Sequence, residues 1–246
     1  MSIKDVYRKL LNRKSEPAKL PDDFEEDHRA IVAKVVPYTM TSPARIFGLV
    51  EAVKYIHRQG ITGDIVECGV WKGGSMLAAA ETLVSLKDTS RTLYLYDTFE
   101  GMPPPTEEDL DFRGAQAASL LEQNKDKKTE DVVWAYSTLD TVKTTMGLCS
   151  YPAQQIKYVV GKVEDTIPAT MPERIAMLRL DTDWYESTRH ELIHLFPRLQ
   201  QGGVLIIDDY GHWQGARKAV DEYFSNNRIR ILLNRIDETG RIAVKQ

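Results

Sequence analysis

The chain has 246 residues, enough for one large core or for one core with an appended subdomain. Lysine and arginine number 32 against 36 aspartates and glutamates, a formal charge of −4 with no basic block to track a phosphate backbone, so nucleic acid is not indicated as a partner. The only cysteines, Cys68 and Cys149, make no CxxC pair, the first twenty residues lack the apolar run of a signal peptide and no stretch reaches membrane-spanning length; these features point away from a disulfide framework, structural zinc and a membrane partner, and towards a soluble cytoplasmic protein.

In chain order, residues 1–40 are polar, with DDFEEDHR in the middle, and read as an N-terminal arm or lid ahead of a domain at 41–246. Ser42 and Pro43 suit the cap and first turn of a helix whose apolar positions Ile46, Leu49, Val50, Val53 and Ile56 recur at helical spacing. Strands are predicted at DIVECGV (64–70), TLYLYD (92–97), IKYVVG (156–161), IAMLRLD (175–181) and GVLIIDD (203–209). Between them lie the helical runs SMLAAAETLVSL, YESTRHELIHLF and ARKAVDEYF, the spacing of right-handed crossovers onto a parallel sheet. IRILLNRI, DETG and RIAVKQ then predict a closing hairpin. The expected fold is α/β and Rossmann-like: a seven-stranded, mostly parallel sheet with one antiparallel strand from that hairpin and helices on both faces. Residues 98–134 interrupt the alternation, contain the helix-like GAQAASLLEQ, and leave a strand end where ligands bind in open sheets, so they are expected to face substrate.

The chemistry gathers at strand ends. In VECGVWKGGS, Gly69, Gly73 and Gly74 permit a tight strand-to-helix turn, Ser75 is placed to hydrogen-bond at the start of the next helix, and Glu67 can pair with a ligand ammonium group. Asp97 closes the next strand, where a carboxylate can accept both hydroxyls of a ribose. Together they argue for an adenosine-containing cofactor; NAD remains open at this point, although the glycine pattern is not GxGxxG. In LRLDTDWYEST, Asp181 and Asp183 are two apart and would share a direction on extended backbone. Asp208 and Asp209 end the strand in IIDDYGHW, adjacent residues that need a turn to converge. Three such carboxylates can make a hard oxygen site for Mg²⁺.

These stretches, with YTMTS at 38–42 and GKVEDTIP at 161–168, resemble the macrocin and mycinamicin sugar O-methyltransferases, a family that includes the novobiocin sugar O-methyltransferase. The resemblance runs over about residues 36 to 244, with the motifs in the family's order. It implies a class I fold, S-adenosyl-L-methionine as cofactor, Mg²⁺, and a hydroxyl of a deoxysugar as acceptor. It also implies that Asp181, Asp208 and Asp209 hold the metal, that Asp183 is the general base, and that Glu67, Asp97, Gly69 and Gly73 serve the cofactor. The segment KTTMGLCSYPAQQ (143–155) departs from the family pattern and leaves the adenine contacts unassigned.

His212 lies beside the acidic pair, but Mg²⁺ prefers oxygen, and His57, His190 and His194 read as helix-face residues. Cys68 reads as a small buried residue, and Trp184 and Tyr185 as walls of the acceptor pocket or as packing. The expected partner is a small sugar-containing molecule, with self-association left open. Two other functions fit the residues: methylation of a non-sugar vicinal diol or phenol, and a catalytically inactive binder of the adenosine cofactor acting as regulator or scaffold.

Overall fold

The computed structural model of the chain describes residues 20–123 and 134–246. Helix α1 spans Glu26–Val35 and α2 spans Pro43–Arg58. Ser42 caps α2 as expected: its backbone is extended and its side chain accepts the Arg45 N–H at 3.2 Å. The strands and helices then alternate: β1 (Asp64–Cys68), α3 (Gly74–Ser85), β2 (Leu93–Asp97), α4 (Ala117–Glu122), α5 (Leu139–Met146), β3 (Ile156–Val160), α6 (Val163–Thr166), β4 (Ile175–Leu180), α7 (Tyr185–His194), β5 (Leu199–Ile207), α8 (Gln214–Asn226), β6 (Asn234–Arg235) and β7 (Arg241–Val244).

They form one seven-stranded sheet in the order β3-β2-β1-β4-β5-β7-β6, parallel from β3 to β5, with β7 antiparallel to both of its neighbours. The order reverses at β1, so the C-terminal ends of β1, β2, β4 and β5 share one edge, at the switch point where such sheets bind ligands. Strict alternation divides the core. Ile65, Leu93, Leu95, Met177, Val204 and Ile206 pack beneath α1, α2, α3 and α5, whereas Val66, Tyr94, Tyr96, Leu178, Leu205 and Ile207 pack beneath α6, α7 and α8.

Strand limits differ from expectation for local reasons. β1 stops at Cys68 because Gly69 turns to a positive φ of 82°. β5 begins at Leu199 instead of 203: Leu199 pairs with Ile175, and Gly202 donates to the Lys245 carbonyl at 2.7 Å. The first half of the terminal hairpin shrinks to Asn234–Arg235, since Ile229, Ile231 and Leu233 meet the core while their backbone has no strand to pair with.

The stretch read as an N-terminal arm is described from residue 20, and there Phe24, Ile31, Val32 and Val35 are buried in the core beneath α1 to α3. Its residues 1–19 lie outside the described residues, as do 124–133 of the predicted 98–134 insertion. Within the described part of that insertion, α4 occupies the expected helix-like run. Buried Asp109 anchors it, accepting the Tyr185 N–H at 2.8 Å and the Thr106 N–H at 2.7 Å. Asp111 bridges to Trp213, and Gln214 donates to the Leu110 carbonyl at 2.8 Å. No helix among the described residues is long and apolar enough to cross a membrane.

Gly69 is the backbone constraint most easily tested, because a side chain there would run into the Asp181 carbonyl. Gly69→Ala should cost about 3 kcal/mol or more, read from the urea midpoint. Gly114→Ala is the control, since Gly114 has a φ of 83° but nothing within 4 Å of an added Cβ; it should cost only about 1 kcal/mol.

Candidate active site

The alternation that buries apolar side chains also aims charged ones. Glu67 on β1 sits opposite Arg179 on β4, on the α1–α3 side of the sheet, and Asp181 and Asp208 continue that face beyond the strand ends. Arg179 is only 2% exposed. A buried guanidinium is tolerated only when its donors are matched. Its Nη1 donates to Glu67 Oε1 at 2.6 Å and to Asp181 Oδ2 at 2.7 Å. Its Nη2 donates to Thr41 Oγ1 at 3.1 Å and pairs with Asp208 Oδ1 at 2.7 Å. Asp208 Oδ2 is taken by Arg45 Nη1, and Arg45 Nε donates in turn to Asp237 Oδ2 at 2.9 Å.

One oxygen from each of Asp181, Asp208 and Asp209 lies within 4.8 Å of the others. Asp209 Oδ2 is buried with no hydrogen-bond partner. A compact, all-oxygen donor set with an orphaned carboxylate oxygen fits a hard divalent cation. Asp183 adjoins this group through a tight turn: its φ is +67°, and Trp184 N donates to the Thr182 carbonyl at 2.8 Å. Burial, then the Asp181 charge, pushes the Asp183 carboxyl up to about 7. Burial, reinforced by Asp183 and Asp208, likewise raises Asp209 well above its ordinary value, and burial raises Asp181 against the opposing pull of Arg179.

On the glycine-turn side, Glu67 Oε2 is buried without a partner, and burial pushes this carboxyl up to about 7 despite Arg179. It therefore has an oxygen for a ligand donor. Asp97 holds the turn together: Oδ2 accepts the Val70 and Trp71 N–H groups at 2.7 and 3.1 Å, and Oδ1 accepts that of Phe99 at 2.7 Å. Thr98 Oγ1 also lies 3.5 Å from Oδ1 but has its single proton on the Gly101 carbonyl at 2.7 Å, so of the carboxylate's about four acceptor positions one is left for a further donor. Ser75 does not cap α3. The cap is Gly73, in the left-handed region without a side-chain bond, and Ser75 is buried inside the first turn. Gly74 serves close packing instead, because a side chain there would press on the Thr39 Cβ and the Tyr38 backbone; its absence seats YTMTS against the turn.

The insertion roofs the acidic end. Trp184 Nε1 donates to the Pro103 carbonyl at 3.0 Å, and the ring meets Trp213 edge-on at 5.0 Å. His212 N donates to the Asp209 carbonyl at 2.9 Å while its ring lies between Phe112 and Trp213. Tyr185 turns away to donate to Glu222 at 2.7 Å. His57 bonds to Asp88, and His190 to the Ile167 carbonyl, both outside the site. Sequence reasoning missed Arg179, Arg45, Asp237 and the anchor Asp109. Arg179 had a signal, a charge inside the otherwise apolar IAMLRL.

A protein-family model described as macrocin O-methyltransferase (TylF) matches residues 1–244. The chain is 34% identical over 205 residues to mycinamicin III 3″-O-methyltransferase of Micromonospora griseorubida, covering 83% of this chain and 77% of that one. It is 33% identical over 205 residues to 8-demethyl-8-(2,3-dimethoxy-α-L-rhamnosyl)-tetracenomycin-C 4′-O-methyltransferase of Streptomyces olivaceus, covering 83% and 74%. The solved O-methyltransferase NovP superposes with a TM-score of 0.74 at 28% identity, over 85% of this chain and 82% of that one.

The charge network makes two measurable demands. Arg179→Met strands buried carboxylates without their counter-charge and should lower stability by about 3–5 kcal/mol in urea denaturation at neutral pH. Glu67 and Asp183 both have folded pKa values of about 7, above their ordinary 4.5 and 3.8, so the folded chain binds more protons than the unfolded chain between those limits. With divalent ions chelated, the melting temperature should therefore fall as pH rises from about 5 to about 8, and the slope should be shallower in Asp183→Asn.

Proposed function

Because the chain belongs to the macrocin O-methyltransferase family, we propose that it transfers the methyl group of S-adenosylmethionine to a hydroxyl of a deoxysugar borne by a glycosylated natural product or a nucleotide sugar. The observation that carries this reading is the placement of Asp183 beside three clustered aspartates at the ligand-binding edge of the sheet. The names of the relatives, which specify a rhamnosyl-tetracenomycin and a mycinamicin, support a sugar-bearing acceptor.

When bound, S-adenosylmethionine supplies a methyl group already activated on sulfur, and Mg²⁺ supplies the Lewis acidity that lowers the pKa of a sugar hydroxyl. Asp181, Asp208 and Asp209 would hold the ion. Ionised Asp183 would accept the proton of the acceptor hydroxyl, raising the nucleophilicity of that oxygen toward the cofactor's methyl group. Glu67 would offer Oε2 to the cofactor's ammonium group, Asp97 would offer its remaining acceptor capacity to the ribose, and Gly69 and Gly73 shape the turn beside them, with Ser75 in the first turn of the helix that follows. Trp184 and the described part of the insertion cover the acidic end and limit water.

Asp183→Asn should reduce kcat by about 10²- to 10⁴-fold while leaving S-adenosylmethionine affinity unchanged by calorimetry. The assay is S-adenosylhomocysteine release and product mass across nucleotide deoxysugars and glycosylated polyketides, with and without EDTA. Full turnover in EDTA, or an Asp183→Asn enzyme as fast as the parent, would overturn the metal-and-base reading.

A further inference from the structure

Asp208, one of the three proposed metal ligands, has an arginine on each oxygen: Arg179 on Oδ1 and Arg45 on Oδ2. The two arginines are not equivalent. Arg179 is fully buried within β4 and is required by Glu67 and Asp181 as well. Arg45 reaches in from the first turn of α2, and its Nε is held from the other side by Asp237 in the β6–β7 turn. Asp237 is itself fixed, accepting from Ser42 Oγ at 2.5 Å and from the Thr239 and Gly240 N–H groups at 3.0 and 2.8 Å. The Arg45 guanidinium is thus clamped beside the acidic centre, where Asp181 and Asp209 also act on its charge.

Resting on the metal reading above, we propose that Arg45 sets the cation affinity of the centre: its fixed positive charge keeps Mg²⁺ binding weak until the acceptor adds its own oxygen ligands. Three carboxylates alone would attract a divalent cation strongly. A guanidinium bonded to one of them neutralises part of that attraction and repels the incoming ion across a short, poorly screened path. Asp208, with Oδ2 already held by Arg45, must then divide its charge between the arginine and the ion. The consequence is a centre that binds the ion firmly only when sugar oxygens complete its coordination, which links metal loading to acceptor binding. Arg45 is in this sense a positioning residue, acting on the reaction through Asp208.

The test uses Mn²⁺ alone, with binding to the full-length chain followed by electron paramagnetic resonance. Arg45→Met should bind Mn²⁺ about tenfold more tightly than the parent, because the opposing charge is gone. Arg45→Lys, which keeps the charge, should remain within about twofold of the parent. Equal or weaker binding by Arg45→Met, or a change in Arg45→Lys as large as that in Arg45→Met, would overturn the inference. Absence of saturable Mn²⁺ binding by both the parent and Arg45→Met would instead remove the metal reading on which it rests. Should Arg45→Met fail to fold, the parent answers the question through the Arg45 Nε–H resonance of nitrogen-labelled arginine, identified by its absence in Arg45→Lys. Saturating Mg²⁺ should shift this signal and speed its exchange with water; an unmoved signal would overturn the proposal.

Discussion

The site depends on one buried cation. Arg179 stands in the centre of the parallel sheet and touches a carboxylate from each of three strands: Glu67 within β1, Asp181 just after its own strand and Asp208 just after β5. Without it, three like charges would converge in a region of low polarity, and each would be driven to protonate or to pull away from the others. With it, the strand ends can be both highly acidic and rigid. Its contact with Thr41 extends the same order to YTMTS, so the segment over the glycine turn and the acidic centre are set by a single side chain.

The sheet supplies the rest through geometry. Regular alternation delivers Glu67, Arg179, Asp181 and Asp208 to one face, and turns beyond the strand ends complete the cluster. Asp183 reaches the centre through a left-handed residue, and Asp209 through the turn that follows Asp208. Conformational strain of this kind is maintained where surrounding contacts over-determine it, here the Trp184 bond to Pro103 and the Asp109 bond to Tyr185.

The legible parts of the sequence were those governed by short-range periodicity. Strand positions, the α2 cap at Ser42 and the clustering of Asp181, Asp208 and Asp209 follow from spacing two or 3.6 and from the rule that parallel strands end on one edge. Long-range partners were not legible. IRILLNRI has the alternation of a strand, yet pairing depends on a neighbour that local sequence does not specify, and only Asn234–Arg235 joined the sheet. Asp109 and Asp111 lie in the acidic run TEEDLDFRG, where nothing local sets them apart, yet both are fully buried and accept from the backbone N–H groups of Tyr185, Arg113 and Ala115. Nothing in the helical pattern around Arg45 marks it, because its partner Asp237 lies 192 positions away.

That separation also fixes when, during synthesis, the centre can be completed. Residues 41 to 67 leave the ribosome early, but their partners Arg179, Asp208 and Asp237 follow 112 to 195 positions later. Chains made from the N-terminus can pack α2 against α3, and α3 against β2, before β4 exists, whereas the strands that α2 itself covers, β4 and β5, come later and the ion-pair network closes only after the last hairpin has docked beside β5. A nascent chain therefore carries Glu67 beside an unfinished sheet through most of translation. The centre cannot be complete until residue 237 has been made, and a chain interrupted before it would lack the Asp237 clamp on Arg45.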